Sequence, residues 1–349
     1  MGVDRARTKD QPGESPAFTA ASGPLALTVA VCTRDRPPQL ARALASLLEQ
    51  QQRPQEILVI DNASSGVGVQ TMVARDFPTV RYVKEPIEGL DFARNCALRE
   101  ARGTIVAFLD DDAVAHPGWT AEILKPFADE NRVSLVTGRV EALSLDTDAA
   151  RLFEANGGYG RGMNRIQLPA DARQKLYGLR APLIAWAVSV GNGTNFALRK
   201  DSALAINGFD EAFDMGKVLH GGGDLDMFWR MLDAGYNLVY QPSALVRHEH
   251  RSQMSAVAGQ LADHQRALAA FLVKSAARAS GKRRIGVLVF LLWRLIKPGI
   301  RLLKRAAGQD PLPARILLAM WAAAWGGLFA YPRAQTIARQ RKKQAEALP

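Results

Sequence analysis

The chain has 349 residues, of which 48% are hydrophobic and 23% charged, enough for one large folded domain with an appendage or for two small domains. Its two cysteines, Cys32 and Cys96, lack metal-ligand spacing, which argues against a disulfide framework and indicates a reducing compartment. The net charge of +11 resides in the tail, because from Lys274 onward 16 Lys and Arg accompany only two acids, which leaves −3 for the preceding part. Because the excess positive charge lies in the tail, the rest of the chain lacks the basic surface that a nucleic-acid interface would need.

The first 24 residues are rich in Pro and Gly, carry mixed charges and are predicted to form a flexible leader without a secretory signal. From Leu27 onward, short apolar runs alternate with helical patterns that begin near Pro37, Val69 and Gly89. The predicted strands cover residues 27–32, 55–60, 80–83 and 105–109. This alternation predicts βαβ units and an α/β fold with a mostly parallel sheet.

The most informative stretch is the apolar run Ile105–Leu109, which ends in Asp110, Asp111 and Asp112. The run is typical of a strand buried on both faces, and ligands of open α/β sheets bind at the carboxyl ends of such strands. Adjacent carboxylates need a positive partner when they are buried. A Mg²⁺ or Mn²⁺ ion completed by phosphate oxygens is the simplest partner, and an acidic turn with Asp112 as a helix cap is the alternative.

Two other polar clusters follow predicted strands, namely Thr33–Arg36, which includes Arg34 and Asp35, and Asp61–Ser64. Because carboxyl ends of parallel strands meet at one sheet edge, all three clusters are predicted to lie together. The helix over residues 89–102 adds Arg94. The alternatives are an Asx turn or cap for Asp61 and a solvated helix face for Arg94.

After a strand over 133–140, residues 146–179 are predicted to be rich in loops, and residues 185–190 are predicted to form a strand that leads to Asn195. The glycine-rich loop 220–223 then precedes a helix over 225–234. Asp224 is predicted at its N-cap, with Asp226 at the same pole. Capping alone would explain Asp224, but three consecutive glycines indicate a loop that leaves room for a substrate or closes over it.

Two short strands, 238–240 and 244–246, are predicted to precede a histidine pair at the end of this part of the chain. His248 and His250 are two residues apart, and on a strand such side chains lie on the same face, which suits metal ligation. We prefer His250 as the ligand. A solvated histidine pair is the alternative.

Five ordered stretches resemble glycosyltransferase family 2 over residues 26–250. They are residues 31–37, 60–64, 89–95, 108–112 and 222–230. The resemblance implies a GT-A catalytic domain over residues 25–252, in which residues 25–140 bind a nucleotide sugar and residues 141–252 bind the acceptor.

The resemblance also implies residue roles. Asp110 and Asp112 match the DXD motif that binds the metal and the diphosphate, and Asp224 takes the place of the catalytic base. The family usually carries Glu before this Asp, whereas this chain has Gly223. Thr33 and Asp61 match residues that hold the nucleoside, and Arg94 matches a basic residue near the nucleotide; the remaining predicted substrate-binding residues are Arg34, Asp35, Asp111, Asn195 and Asp226.

Residues 253–349 are predicted to form a basic helical tail. Its most apolar stretch, 314–331, has 18 residues, which is the low end for spanning a bilayer, and basic residues flank it on both sides. We expect residues 283–343 to lie at an anionic membrane surface as an in-plane or re-entrant segment. The alternative is a helical hairpin packed on the catalytic domain or on a second subunit of a homo-oligomer.

Together these features predict a metal-dependent, inverting glycosyltransferase that moves a sugar from a nucleoside diphosphate sugar to an acceptor hydroxyl in polysaccharide or glycolipid synthesis. The tail alone suggests a lipid-linked or cell-envelope acceptor and a place at the cytoplasmic face of the plasma membrane. One alternative is a nucleotidyl- or phosphotransferase, which would usually carry a Gly-rich or Lys-bearing loop after the first strand, unlike residues 33–36. The other is a membrane-docked nucleotide-binding scaffold without turnover.

Overall fold

The computed structural model describes residues 24–176 and 180–347, so the predicted leader lies outside the described residues except for Pro24. The first half contains β1 (Leu27–Thr33), α1 (Pro37–Leu48), β2 (Glu56–Asn62), α2 (Gly68–Asp76), β3 (Arg81–Glu85), α3 (Leu90–Glu100), β4 (Ile105–Leu109), β5 (Ala113–Ala115), α4 (Trp119–Asp129) and β6 (Val133–Ala142). The second half contains α5 (Asp148–Ala155), β7 (Ile166–Leu168), α6 (Leu183–Val190), β8 (Asn195–Arg199), α7 (Lys200–Ala205), α8 (Gly223–Asp233), β9 (Asn237–His248), α9 (Met254–Arg278), α10 (Gly281–Ala306), α11 (Ala314–Gly327) and α12 (Ala330–Glu346).

The nine strands of the described ranges form one sheet in the order β3-β2-β1-β4-β8-β6-β9-β5, with β7 paired to β9. Strands β1 to β4 pair in parallel, β8 runs antiparallel between β4 and β6, and β6 is parallel to β9. The predicted α/β fold is therefore confirmed, with a parallel first half and a mixed second half. Because β1, β2 and β4 are neighbours, the loops that follow them meet at one edge of the sheet.

Helices cover both faces of the sheet, and successive strand residues serve opposite faces. Val29 and Val31 of β1 pack in the cluster that contains α1, α2 and α4, whereas Ala30 belongs to the cluster with α3, α6, α8 and α9. Both faces of β1 are thus buried, which explains why its sequence is an unbroken apolar run.

Three local predictions in the second half are wrong. Residues 185–190, predicted as a strand, lie within helix α6, because a short apolar run buried on nearly all sides has no periodicity that separates strand from helix. The two short strands at 238–246 are one strand, β9, with a register shift opposite Gly138 and Arg139. Helix α8 begins at Gly223 and its N-cap is Gly222 with φ +98°, so Asp224 lies inside the first turn instead of at the cap.

The tail helices pack on the N-terminal fold. Phe271 of α9 and Ala334 of α12 belong to the main core cluster, and Phe153 of α5 joins α9 and α11 in a smaller one. The division of the chain into a catalytic domain and a tail stays a prediction.

No single described helix is long and apolar enough to cross a bilayer. Helices α11 and α12 meet the criterion of length and composition only as a pair, and they are bent by 66° at their junction.

Candidate active site

The carboxyl end of β4 carries a compact group of three side chains suited to a metal ion. One ligand atom each of Asp110, Asp112 and His248 lies within 4.8 Å of the other two. His248 Nε2 is 3.0 Å from Asp112 Oδ1 and 4.0 Å from Asp110 Oδ2. Two carboxylates and one imidazole form a donor set that fits Mn²⁺ or Mg²⁺ completed by phosphate oxygens.

Sheet register selects the histidine of this group. Strand β5 pairs antiparallel with β9 so that Ala113 lies opposite His248, which brings that imidazole beside the preceding Asp112. His250 lies beyond the end of β9, and its Nε2 is 2.6 Å from Glu154 Oε1 of α5. The structure therefore brings His248, and not the preferred His250, to the predicted metal ligands.

The charges of this group influence one another. Burial and the neighbouring Asp112 raise the pKa of the Asp110 carboxyl to about 6. Burial opposes the charged form of Asp112 as well, but its hydrogen bond and attraction to His248 bring its pKa below the ordinary value. The same contact raises the pKa of His248 although burial acts to lower it. Of these three groups, Asp110 is thus the one whose charge its neighbours compensate least.

The middle carboxylate of the triplet, Asp111, turns inward. Thr33 Oγ donates to Asp111 Oδ2 at 2.7 Å, and Arg36 Nη1 donates to Asp111 Oδ1 at 3.2 Å and to Asp112 Oδ2 at 3.1 Å. Asp111 and Thr33 are both buried. These contacts join the loop after β1 to the loop after β4, so the predicted substrate-binding residues Thr33 and Asp111 hold the two loops together.

Asp61, at the end of β2, is buried and only half satisfied. Tyr82 Oη donates to Asp61 Oδ2 at 2.6 Å, whereas Oδ1 has no hydrogen-bond partner among the described residues. A buried carboxylate oxygen without a partner costs about 1–3 kcal/mol or more. This oxygen is therefore an unused hydrogen-bond acceptor at the carboxyl end of β2.

The predicted residues Arg34 and Asp35 lie at the exposed rim of the same edge. Asp35 Oδ1 accepts from the Ser65 backbone N–H at 2.9 Å and from Ser65 Oγ at 3.0 Å, which joins the loop after β1 to the loop after β2. Arg34 pairs with Glu88 at 2.5 Å, and Arg341 of α12 lies 3.5 Å from the same carboxylate. The tail thus reaches the edge at which the clusters converge.

Arg94 lies within a buried group of acids. Its Nη1 is 3.0 Å from Asp91 Oδ1, and its Nη2 donates to the Gly193 carbonyl at 3.4 Å. Burial acts to lower the pKa of Arg94, but Asp91, Asp224 and other nearby carboxylates raise it above the ordinary value. Arg94 is therefore not on the solvated helix face that was the alternative, and its charge balances acids from several elements.

The loop 191–195 joins the metal group to Asp224. The backbone N–H of Asp110 donates to the Thr194 carbonyl at 3.3 Å. A Cβ placed on the preceding Gly193 would lie 2.6 Å from Asp224 Oδ2, so the Asp224 carboxylate packs directly against that glycine. The backbone of Asp110, just after β4, and the carboxylate of Asp224 in α8, 114 positions later in the chain, thus contact one short loop.

Two predicted substrate-binding residues have structural partners instead. Asn195 is fully buried, accepts from Trp119 Nε1 at 2.9 Å and donates to the carbonyls of Arg139 and Ala244. Asp226 is buried and pairs with Arg230 at 2.7 Å and with Lys274 at 2.6 Å. The (i, i+4) spacing of Asp226 and Arg230 was a sequence signal for this pair.

Tyr159 is a site residue that the sequence did not reveal. Its ring lies 5.1 Å from the His248 ring and 5.8 Å from the His250 ring, and its hydroxyl accepts from Gln260 Nε2 at 2.7 Å. Burial, reinforced by Asp110 and Asp112, raises its pKa. The only signal was a single aromatic residue in the glycine-dense segment 156–160.

Comparison with known proteins identifies the family. The model of the family described as glycosyl transferase family 2 matches residues 28–203. The chain is 28% identical over 230 residues to the pre-mycofactocin glycosyltransferase of Mycobacterium tuberculosis, covering 65% of this chain and 43% of that protein. It is 27% identical over 233 residues to the succinoglycan biosynthesis protein ExoM of Rhizobium meliloti, covering 64% of this chain and 67% of that protein. The chain therefore spans less than half the length of the mycobacterial relative.

Among solved structures, the chain is similar to the mannosyltransferase PcManGT from Pyrobaculum calidifontis, determined in complex with GDP-Man and Mn²⁺. The TM-score is 0.56 at 20% identity, covering 92% of this chain and 89% of that chain. At this identity the likeness concerns the fold, and it includes most of the tail.

Proposed function

Because the chain belongs to glycosyltransferase family 2, whose model matches residues 28–203, we propose that it transfers a sugar from a nucleoside diphosphate sugar to an acceptor hydroxyl. The observation that carries the proposal is that Asp110 of the metal group and Asp224 of α8 both contact the loop 191–195. A donor diphosphate bound at the first carboxylate would therefore lie near the second. This proximity is what a single displacement requires.

On the donor side, the free Oδ1 of Asp61 supports a hydrogen bond from the nucleoside base. Asp110, Asp112 and His248 would hold the cation, and we propose Mn²⁺ or Mg²⁺. When bound, that ion neutralises the charge that builds on the departing diphosphate. Thr33 and Arg36 hold the loop after β1 against the carboxylate triplet, which orients these groups for the donor.

On the acceptor side, Asp224 takes the proton of the acceptor hydroxyl as that oxygen attacks the anomeric carbon. The attack occurs opposite the departing diphosphate, and one displacement inverts the configuration at that carbon. General-base transfer requires Asp224 to come within about 3 Å of the hydroxyl. Gly221 leaves open space on this side, because a Cβ there would meet nothing within 4 Å, whereas Gly222 and Gly223 pack against Phe213 and Asp91.

The acceptor is proposed from the relatives and from the tail. One relative is named for succinoglycan biosynthesis and another for pre-mycofactocin glycosylation. We propose an acceptor in cell-envelope polysaccharide or glycolipid synthesis, lipid-linked where the tail lies on a membrane, at the cytoplasmic face of the plasma membrane. The GDP-Man bound to the structural neighbour does not identify the donor of this chain, because the likeness at 20% identity concerns the fold.

The test is release of free nucleoside diphosphate from a panel of UDP-, GDP- and dTDP-sugars with Mn²⁺, with Mg²⁺ and with EDTA. We expect slow, metal-dependent release to water from one donor, and its loss in Asp112→Asn. The control is Asp129→Asn at the exposed end of α4. Release of pyrophosphate would indicate the nucleotidyltransferase alternative, and donor binding without any release would indicate the scaffold; either result contradicts the proposal.

A further inference from the structure

Helix α10 exposes a continuous apolar face. Eight of its large apolar side chains are exposed, and Leu303 (74%), Ile285 (61%) and Val289 (59%) are the most exposed among them. The eight residues are Ile285, Leu288, Val289, Leu292, Trp293, Ile296, Ile300 and Leu303. At about 100° per residue they fall within an arc of about 140° that extends along the helix from its second turn to its end.

The opposite face of the same helix is attached to the protein. Val287, Leu295 and Pro298 are buried, and Trp321 of α11 donates from Nε1 to the Leu295 carbonyl at 2.9 Å. The exposed apolar face is therefore held in a fixed orientation on the fold. It is not part of a free helix that could turn inward.

Positive charge borders this apolar face. Lys297 and Lys304 are exposed and follow it at one edge on the helical projection, and Lys282, Arg283 and Arg284 are exposed at the start of the helix. The tail as a whole carries 16 Lys and Arg from Lys274 onward against two acids. An apolar stripe bordered by cations is complementary to anionic headgroups above an acyl layer.

Helix α11, which is the most apolar segment of the tail, has a different environment. Ile316, Leu317 and Met320 are buried, and a Cβ on Gly327 would lie 2.4 Å from the Arg266 carbonyl of α9. Its apolar character is explained mainly by packing inside the protein. The apolar surface that remains without a described partner belongs chiefly to α10.

We infer that helix α10 lies in the plane of an anionic membrane, with the face from Ile285 to Leu303 inserted at the boundary between headgroups and acyl chains. Lys297 and Lys304 then contact the headgroup phosphates. A helix of 26 residues with a face of this kind binds in the interface without spanning the bilayer.

The attachment of α10 would place the candidate active site close to that membrane. Arg301 Nη1 donates to Asn156 Oδ1 at 2.7 Å, and Arg301 also pairs with Asp310 at 2.6 Å. Asn156 begins the segment that carries Tyr159, whose ring lies against His248. The docking itself is independent of the proposed function, and it would favour acceptors dissolved in the same membrane.

The test is flotation of the full chain, without donor, on phosphatidylcholine vesicles with and without phosphatidylglycerol. We expect binding that requires phosphatidylglycerol and weakens with salt. The double variant Leu292→Glu/Ile296→Glu should lower the partition coefficient at least about tenfold. Lys297→Gln/Lys304→Gln should weaken binding to anionic vesicles without altering the apolar face. The control is Leu204→Glu, an exposed leucine of α7, which should bind like the parent.

Equal flotation of the parent on neutral vesicles, or unchanged binding of both double variants, would overturn the inference. A third result would also overturn it: the parent does not bind vesicles and is a dimer in light scattering, and Leu292→Glu/Ile296→Glu is a monomer. The apolar face would then be an interface between two copies of the chain. Nucleoside diphosphate release in vesicle-free buffer should be the same in parent and variants. This readout separates a failure of docking from a failure of the proposed reaction.

Discussion

The carboxylate of Asp91 occupies the space that a side chain on Gly223 would need. A Cβ built on Gly223 would lie 1.7 Å from Asp91 Oδ2, an oxygen that is buried and has no hydrogen-bond partner among the described residues. Asp91 lies in the first turn of α3 and Gly223 begins α8, so this contact joins the two halves of the fold. The resemblance to family 2 predicts Glu before Asp224, and here a carboxylate from another helix lies beside that position.

This contact predicts strong coupling between the two residues. Gly223→Ala should lower the free energy of unfolding by about 1–3 kcal/mol, because the added methyl group overlaps Asp91 in a packed site. The same substitution should cost less in an Asp91→Gly background, as measured by a double-mutant cycle in urea. The control is Gly259→Ala in α9, where a Cβ would meet nothing within 4 Å. An equal cost of Gly223→Ala in both backgrounds would contradict the predicted coupling between Gly223 and Asp91.

Asp224→Asn should abolish transfer and leave donor binding nearly intact. The amide keeps the shape that packs against Gly193 but cannot accept the acceptor proton, and loss of a general base typically costs about 10²–10⁴-fold in rate. Turnover and donor affinity by calorimetry are measured on the same preparations. Parallel loss of both would show that Asp224 is structural.

The metal group predicts a different response from each histidine. Mn²⁺ should raise the unfolding temperature of the parent, because a ligand bound only by the folded state stabilises it by about 2.7 kcal/mol at 100 times its Kd. His248→Ala should weaken Mn²⁺ binding at least about tenfold, since it removes one of the three ligands. In His250→Ala, Mn²⁺ should raise the unfolding temperature above that of the metal-free variant by as much as in the parent, because His250 contacts Glu154 instead of the metal group. The opposite pattern would restore His250 as the ligand.

Asp61→Ala should weaken the binding of nucleoside diphosphate by about tenfold or more, because hydrogen bonds to charged groups contribute about 1.5–3 kcal/mol. Isothermal titration calorimetry with the nucleotide that the donor panel identifies measures the effect. The matched control is Asp76→Ala, an exposed carboxylate paired with Arg75. Unchanged affinity in Asp61→Ala would show that the nucleoside base does not bind at Asp61.

Lys274 should be essential for stability. It is buried between Asp210 and Asp226, and Tyr331 donates to Asp210 at 2.7 Å, so this group joins α8, α9 and α12. Lys274→Met removes the cation paired with Asp210, while Asp226 keeps Arg230, and should cost about 3–5 kcal/mol in chemical denaturation. Lys125→Met on the exposed face of α4 is the control, and a similarly small effect of both would show that the group contributes little.

The sequence by itself determined the first half of the fold. Strands such as β1 and β4 are buried on both faces, so they appear as continuous apolar runs, and their polar carboxyl ends mark the ligand edge. The acid triplet and the glycine-rich loop before Asp224 are also local patterns, because each consists of residues that are adjacent in the sequence.

Only the tertiary structure decided which side chains meet. The pairing of β5 with β9 selects His248 over His250, and the packing of α9 turns Asp226 toward Lys274. Tyr159, and the place of Asp91 beside Gly223, likewise depend on segments far apart in the chain. A local sequence pattern indicates which residues of one segment are buried or charged. Sheet register and helix packing fix the distances between segments, and the chemistry of the candidate site depends on those distances.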